Sequence, residues 1–324
     1  MRQRPVFYAP ASAASRMLPS MPPEFTIDDP AFAPLLAPDA RLERLATGAI
    51  WSEGPVYDAT ADCVVWSDIP NNRMLRWSAR DGMSVFRAPS GFTNGHTLDR
   101  EGRLVSCSHG NRGVERTEAD GRVGMLVDQF EGKRLNSPND IVVKSDGTIW
   151  FTDPPYGIVS NIEGHAAPSE LGVCHVFRFD PDSATLTSVT SGLQEPNGLA
   201  FSPDESKLYV SDTSIAQGRG DHHHVFVFDV MDGRRLGHAR VFAAIEPGVA
   251  DGFRLDTAGN LYISSADSIQ VYAPNGRRLG KIAVPEKVAN CTFGGPTGDR
   301  LFIVASSSLY AITLNAEGAQ RPAH

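Results

Sequence analysis

Six polar residues recur at matching places along the chain, and each carries a carboxylate or a carboxamide. They are Glu53, Asn94, Asn139, Asn197, Asp251 and Asn290. A glycine follows four of the six, and each copy continues with alternating apolar residues, a turn and a second apolar strand that ends in small polar residues. One such residue is typical of an ordinary strand start or turn. Six in register, two of them acidic, indicate a shared site.

Oxygen ligands of this kind suit a hard divalent cation. Calcium takes roughly six to eight oxygens in a flexible arrangement, and magnesium or manganese uses the same donors together with water. The two carboxylates, Glu53 and Asp251, balance the charge of such an ion, and the carboxamides add neutral oxygens. The sequence therefore predicts one divalent cation, with calcium as the first choice and magnesium, manganese or zinc as alternatives.

Two histidines and one loop accompany these positions. His96 lies two residues after Asn94, so strand alternation places it on the same side. His109 ends the neighbouring strand of that hairpin. The two are either a catalytic acid/base and substrate-orienting pair active near neutral pH or hydrogen-bonded structural residues. Arg134 and Asn136 precede the third copy and either bind substrate hydroxyls or a carboxylate, or belong to a solvated loop.

The three adjacent histidines at 222–224 lead directly into an apolar strand. Neighbouring strand residues point to opposite faces, so we interpret them as a loop-to-strand junction and not as a metal site. The sequence contains no G-x-S-x-G, H-E-x-x-H, P-loop or G-x-G-x-x-G motif, so serine hydrolysis and nucleotide chemistry have no support.

The spacing of the six copies predicts the fold. Intervals between copies run from 39 residues (251 to 290) to 58 residues (139 to 197), near the roughly 40 to 50 residues of a propeller blade. We expect an all-β, six-bladed β-propeller as a single domain over 41–318, with a Pro- and Ala-rich arm at 1–40 and a tail at 319–324. Too few residues follow Asn290 for a complete blade, so Leu42–Ala46 is predicted to close the ring.

Composition excludes several functions. The 324-residue chain has a net charge of −8 and a pI near 5.6, which argues against nucleic-acid and anionic-membrane partners. No apolar run spans a bilayer, and prolines interrupt the first 21 residues where a secretory signal would need a continuous apolar segment. Four scattered cysteines predict a reducing compartment, the cytoplasm.

Several motifs resemble one known family, the senescence marker protein/gluconolactonase/luciferin-regenerating-enzyme family. The resemblance covers roughly residues 40 to 315 and rests on motifs in the family's order. These are Trp51–Pro55, Asn139–Ile141, Phe151–Gly157, Pro196–Leu199, Tyr209–Thr213, Ala250–Phe253 and Cys291–Gly295.

This resemblance implies a six-bladed propeller with a divalent cation at the channel mouth and lactone-hydrolase activity. It implies Glu53, Asn197 and Asp251 as metal ligands, with Asn139 as a further ligand or a substrate contact. Four more positions follow from it as well: Arg134 and Asn136 resemble the family's Arg-x-Asn substrate loop, and His96 and His109 resemble the paired histidines of paraoxonase-like enzymes. Either Asn136 or Asn139 takes the substrate-contacting role.

The leading hypothesis is a metal-dependent hydrolase of a small-molecule lactone, with an aldonolactone as its substrate. The metal polarises the carbonyl and Asp251 assists the attack of water. Two alternatives remain open at this point: an arylesterase or organophosphate hydrolase with the same metal site, and a propeller that serves as a non-catalytic scaffold.

Overall fold

The structure of the protein, a computed structural model, describes residues 24–319. Six antiparallel sheets form the body of the fold, and in five of them the four main strands follow one another along the chain. Blade 1 contains Ser52–Asp58, Cys63–Asp68, Arg73–Ser78 and Gly82–Arg87; blade 2 contains Thr93–Leu98, Leu104–Ser108, Gly113–Thr117 and Val123–Val127; blade 3 contains Ile141–Val143, Ile149–Asp153, His175–Asp180 and Thr185–Thr190. Blade 4 contains Pro196–Phe201, Lys207–Asp212, His224–Met231 and Arg240–Ala244; blade 5 contains Phe253–Leu255, Leu261–Ser264, Ser268–Tyr272 and Arg278–Ala283; blade 6 contains Val288–Gly294, Arg300–Ala305, Ser308–Thr313 and Glu43–Thr47.

The ring of blades is closed by the N-terminal side of the chain. Glu43–Thr47 pairs with Ser308–Thr313 and so provides the outer strand of blade 6. The first strands of neighbouring blades contact one another all the way round, which makes them the lining of a central channel. The six-bladed propeller and its closure by an N-terminal strand, as predicted from the sequence, are confirmed, with that strand one residue further along than expected.

The apolar core lies between the blades. Trp150 of blade 3 packs edge-on against Phe201 of blade 4, with ring centroids 5.3 Å apart. Trp66 of blade 1 shares a cluster with Phe302 of blade 6. Since each blade covers its faces only against its neighbours, no blade has a core of its own. This continuous packing holds the inner strands, and the polar residues at their starts, in fixed positions.

A few elements lie outside the repeat. Phe25–Ile27 adds a fifth strand to blade 5, and the 3-10 helix Pro30–Leu35 follows it with Phe32 buried. These elements belong to the predicted arm at 1–40, of which residues 1–23 lie outside the described residues, as do 320–324 of the predicted tail. The remaining short elements are the strand pair Gln129–Phe130 and Lys133–Arg134, the strand Arg235–Leu236, and the 3-10 helices Tyr156–Ile158 and Ser214–Gln217.

Two further observations concern the described region as a whole. Within residues 24–319, no helix has the length and apolar character needed to cross a membrane. All four cysteines are unpaired, and Cys63, Cys107 and Cys291 are buried.

Candidate active site

The six polar residues found in the sequence meet at one end of the channel, and we call them the ring. Asn94 Nδ2 donates to Asn139 Oδ1 at 2.6 Å, and Asn139 Nδ2 donates to Asn197 Oδ1 at 2.7 Å. On the other side, Asn290 Nδ2 lies 3.4 Å from Glu53 Oε2. These contacts join side chains of neighbouring blades, so residues far apart in sequence converge on the channel.

Glycine follows most ring residues because the blades approach too closely there for a side chain. A Cβ atom on Gly54, which has a φ of +58°, would lie 2.0 Å from the carbonyl oxygen of Asn94. A Cβ on Gly252 would lie 2.0 Å from the amide carbon of Asn290. Real Cβ atoms do not reach such distances, so the glycines are what lets the ring be this narrow.

The small polar residues that end the second strands have a matching role, which the sequence did not disclose. In three blades, a hydroxyl in the second strand donates to the backbone carbonyl of the ring residue in the next blade. The pairs are Ser67 with Asn94 at 3.0 Å, Thr152 with Asn197 at 2.7 Å, and Ser211 with Asp251 at 3.0 Å. These bonds fix the backbone that carries the ring side chains. The signal was present in the repeat as the small polar residues at its end.

The two ring carboxylates lie in an environment that disfavours their charge. Burial and the negative charge of Asp251 hold the pKa of Glu53 well above its usual value. Burial also raises the pKa of Asp251 to about 6, while the Lys287 ammonium and the Asn197 side chain act in the opposite direction. Two carboxylates this close, one of them fully buried, repel each other unless a proton or a cation lies between them.

The donor set fits a divalent cation. Oε1 of Glu53 is buried and has no hydrogen-bond partner among residues 24–319. An oxygen of this kind is costly unless something positive binds it. The ring offers two carboxylates and several amide oxygens, the donors that hard divalent ions prefer. Within the same described residues, no group of three or more His, Cys, Asp or Glu side chains is placed to hold a metal, so any cation here depends on the amides as well.

His109 reaches the ring from blade 2. Its Nδ1 lies 3.1 Å from the carbonyl oxygen of Glu163, and its Nε2 lies 3.2 Å from Asn139 Oδ1 and 3.4 Å from Asn94 Nδ2. Because a carbonyl only accepts, Nδ1 carries the proton in the neutral imidazole of His109, and the Nε2 lone pair faces the amides. Burial lowers the pKa of His109 to about 4, so its imidazole is neutral near pH 7.

His96 lines the channel below the ring. Its Nε2 lies 2.8 Å from Ser67 Oγ and its Nδ1 lies 2.8 Å from Ser106 Oγ, so both nitrogens are engaged by hydroxyls. Burial lowers the pKa of His96 to about 3. The contacts place His96 beside Ser67, which holds the ring backbone, and the histidine therefore supports the ring from below.

The loop before the third ring residue lies beside the mouth. Asn136 is buried, and its Nδ2 donates to the carbonyls of Asp153 and Val173 while its Oδ1 accepts from Ser169. Arg134 is exposed, and its Nη2 donates to the carbonyl of Asn111. Asn139, and not Asn136, is the amide that the structure brings into the ring.

Three residues that sequence reasoning missed also stand near the carboxylates. Burial raises the pKa of Glu163 to about 7, and the charge of Asp251 adds to that rise. Lys287 opposes both effects, and its ammonium lies 5.0 Å from the centroid of the Trp51 ring. Tyr156 bonds Thr213 at 2.7 Å. None of these occupies a repeated position, so no periodic pattern pointed to them.

The fold and site define a class: a six-bladed propeller with an oxygen-rich ring at one channel mouth. Residues 51–307 match the SMP-30/Gluconolactonase/LRE-like family, and the chain belongs to it. A gluconolactonase from Zymomonas mobilis is 33% identical over 302 residues, which cover 86% of this chain and 82% of that protein. The family predicted from the sequence motifs is confirmed.

Solved structures agree with this placement. A gluconolactonase from Xanthomonas campestris has a TM-score of 0.84 at 41% identity, covering 90% of this chain and 95% of that one. A calcium-binding protein, regucalcin, from Agrobacterium tumefaciens has a TM-score of 0.69 at 17% identity, covering 86% and 94%. The second likeness shows a shared fold alone.

Proposed function

We propose that this chain is a cation-dependent hydrolase of sugar lactones. The observation that carries the proposal is the placement of two carboxylates, the buried Glu53 and the half-buried Asp251, in a ring of amides, with Glu53 Oε1 lacking a hydrogen-bond partner among the described residues. The relatives described as gluconolactonases supply the class of reaction. The ring supplies a site where that reaction can occur.

The residues that would hold the cation are Glu53, Asn139, Asn197 and Asp251. When bound, a divalent ion at this position supplies Lewis-acid polarisation of the lactone carbonyl and positive charge for the oxyanion that forms from it. Calcium is the first choice, since the donors are all oxygens and neutral amides outnumber the carboxylates. Asn139 has a second role in this scheme, because its side chain also lies within reach of His109.

Asp251 is the residue to which we assign the water. Its ionised carboxylate orients a water molecule and accepts a proton as the water oxygen bonds to the carbonyl carbon. The C–O bond within the lactone then breaks, and the proton held by Asp251 passes to the departing alkoxide oxygen. The product is the open hydroxy acid. His109, whose Nε2 lone pair accepts from Asn94 Nδ2, positions Asn94 and is the second proton acceptor.

The substrate contacts are assigned to residues around the mouth. Asn94 and Asn139 present amides to substrate hydroxyls, and the exposed Arg134 is available for a polar group at the rim. Asn136 acts through the loop that it ties to Asp153. His96 acts from below by holding Ser67. The cytoplasm remains the proposed location, in keeping with four unpaired cysteines.

The experiment that tests the proposal measures hydrolysis by proton release. The full-length protein is stripped with a chelator, refilled in turn with calcium, magnesium, manganese or zinc, and assayed on δ-gluconolactone and γ-aldonolactones, with an aryl ester and a phosphotriester in parallel. We expect restored hydrolysis of a sugar lactone with at least one cation. Activity confined to the ester or the phosphotriester, or no activity with any cation, would contradict the proposal.

A further inference from the structure

The channel continues below the ring into a cavity of about 430 Å³ that the ring chemistry does not use. We call it the lower cavity. Most of its lining comes from first-strand residues two to four positions after the ring residues, among them Val56, His96, Val143, Arg254 and Phe293. With a rise of about 3.3 Å per strand residue, these positions lie roughly 7 to 13 Å beyond the ring. A volume of this size falls in the range of small-molecule sites.

A charged pair separates the lower cavity from the ring. Asp140 stands where the other copies have glycine or cysteine, and its side chain enters the channel. Its Oδ2 lies 3.4 Å from Nη1 of Arg254. Asp140 belongs to blade 3 and Arg254 to blade 5. Because blade 4 lies between these blades, the two side chains approach each other inside the central channel. The ring and the lower cavity are therefore two compartments of one channel.

Arg254 turns an unused set of donors toward the lower cavity. Its Nη1 donates to the carbonyl of Phe253 at 2.7 Å and faces Asp140. Its Nε and Nη2 have no hydrogen-bond partner among residues 24–319. The residue is only 7% exposed and lines the cavity. The Nε and Nη2 edge of a guanidinium is a planar fork that matches a carboxylate with two parallel hydrogen bonds.

The other residues that line the lower cavity determine which chemical groups, besides the carboxylate, a ligand needs. Val56, Leu98, Val143, Leu255 and Phe293 give the cavity an apolar body around the buried guanidinium of Arg254, while the exposed Asp62 and Arg100 also line it. Asp99, which also lines the cavity, already binds Arg103 at 2.8 Å, so it does not compete for Arg254. A ligand that satisfies this surface has an anionic head and a short apolar tail.

We propose that the lower cavity binds a small organic carboxylate, with its carboxylate on the Nε and Nη2 edge of Arg254 and its apolar part against Val143 and Phe293. This site is separate from the ring and does not depend on the activity proposed there. Its signal in the sequence is a double departure from the repeat: an acidic residue at 140 in place of glycine, and an arginine at 254 where the other copies have Val, Thr, Val, Ala and Phe.

The test is a binding measurement on the full-length protein with acetate, hexanoate and benzoate as probes, and hexanamide as the neutral match of hexanoate. Ligand-observed NMR and calorimetry report the dissociation constant. We expect saturable binding of hexanoate or benzoate at one site per chain, weaker binding of acetate, and at least about tenfold weaker binding of hexanamide, because a charged hydrogen-bonded pair is lost.

Variants locate the site. Arg254→Met should weaken hexanoate binding at least about tenfold, and Arg254→Lys should weaken it less, since the charge stays while the fork is lost. If Arg254→Met does not fold, the double variant Asp140→Asn/Arg254→Met removes the unpaired carboxylate, and Val143→Phe fills the cavity without touching the charges. Both should abolish binding. Glu53→Gln is the matched control and should leave hexanoate binding unchanged.

Three results with the probes and the cavity variants would overturn the inference. They are no saturable binding of any probe to the wild-type protein, equal affinity for hexanoate and hexanamide, and full hexanoate binding in the Val143→Phe or double variant. Loss of binding in Glu53→Gln alone would place the ligand at the ring and would likewise contradict it. Failure of lactone hydrolysis has no bearing on these outcomes, because none of them measures turnover.

Discussion

Two successive levels of the channel treat charge in opposite ways. At the ring, the carboxylates of Glu53 and Asp251 lie close together, and the buried Oε1 of Glu53 has no hydrogen-bond partner within residues 24–319. Below it, Asp140 is buried just as deeply but faces its own cation, Arg254. The same six strands therefore form one compartment that needs a cation from outside and another that carries a cation of its own.

This difference shows how a repeat produces two kinds of site. The ring arises where the repeat is kept: a polar residue, then a glycine that lets the next blade approach, then a hydroxyl that fixes the neighbouring backbone. The lower cavity arises where the repeat is broken, at Asp140 and Arg254. Positions that keep the repeat form the ring, and the two positions that depart from it, Asp140 and Arg254, form the feature that distinguishes blades 3 and 5 from the others.

The largest expected effect comes from removing a ring carboxylate. Asp251→Asn should lower lactone hydrolysis by about 10³-fold, because it removes the group that accepts the proton of water together with a cation ligand. The assay is kcat/KM on the lactone that the wild-type protein hydrolyses best. Asp267→Asn, an exposed carboxylate in the same blade, is the control and should stay within about twofold. Activity near the wild-type level in Asp251→Asn would remove its assigned role.

The next effect concerns the charged pair beneath the ring. Arg254→Met leaves Asp140 buried without its cation and should lower the free energy of unfolding by about 3 kcal/mol. The double variant Asp140→Asn/Arg254→Met should recover more than half of that loss. Urea unfolding followed by fluorescence measures both. Equal stability of the single and double variants would mean that the two side chains do not interact.

A smaller loss of stability should follow from widening the ring. Gly252→Ala places a Cβ against the Asn290 amide, so blade 5 must move and the free energy of unfolding should fall by about 2 kcal/mol, with activity falling too. Gly124→Ala, where a Cβ meets nothing within 4 Å, is the matched control. It should fold as the wild-type protein does. A stable and active Gly252→Ala protein would show that the ring tolerates a wider spacing.

The smallest effect is a pH dependence that only the ring should show. Burial raises the pKa of Asp251 to about 6, so in the absence of a cation its carboxyl gains a proton as pH falls through that value. The protonated form competes with the cation, so cation affinity should rise about fivefold from pH 5 to pH 6 and level off above pH 7. Because the folded state holds this proton more tightly than the unfolded chain does, protonation of Asp251 stabilises the cation-free protein at low pH. That contribution to the free energy of unfolding is lost as pH rises from the usual pKa of Asp toward 6. Calorimetric titrations at several pH values measure the affinity, and a pH-independent affinity would contradict the assignment.

Much of the fold followed from the sequence because the repeat encodes it. The period predicted six blades, and the shortage of residues after Asn290 predicted closure by an N-terminal strand, which Glu43–Thr47 provides. Convergence of the ring residues also followed, since equivalent positions of radial blades face one axis.

The features that the sequence did not predict are hydrogen bonds to residues outside the repeated positions and the placement of residues in loops. His96 has the strand parity of a channel residue, but parity does not reveal that two serine hydroxyls occupy both of its nitrogens. Asn136 resembles a substrate contact, yet Asp153, Val173 and Ser169 engage its side chain. Glu163 lies on a loop between strands, where no period relates sequence to position. In each case the deciding partner is distant in sequence.

The most direct test of the central claim is a calorimetric titration of calcium into the chelator-treated protein, comparing the wild type with Glu53→Gln. We expect one calcium per chain in the wild type and at least about tenfold weaker binding in the variant, which keeps the shape of the side chain but loses its charge. Absence of binding to the wild-type protein, or equal affinity in both proteins, would contradict the claim that the ring holds a cation.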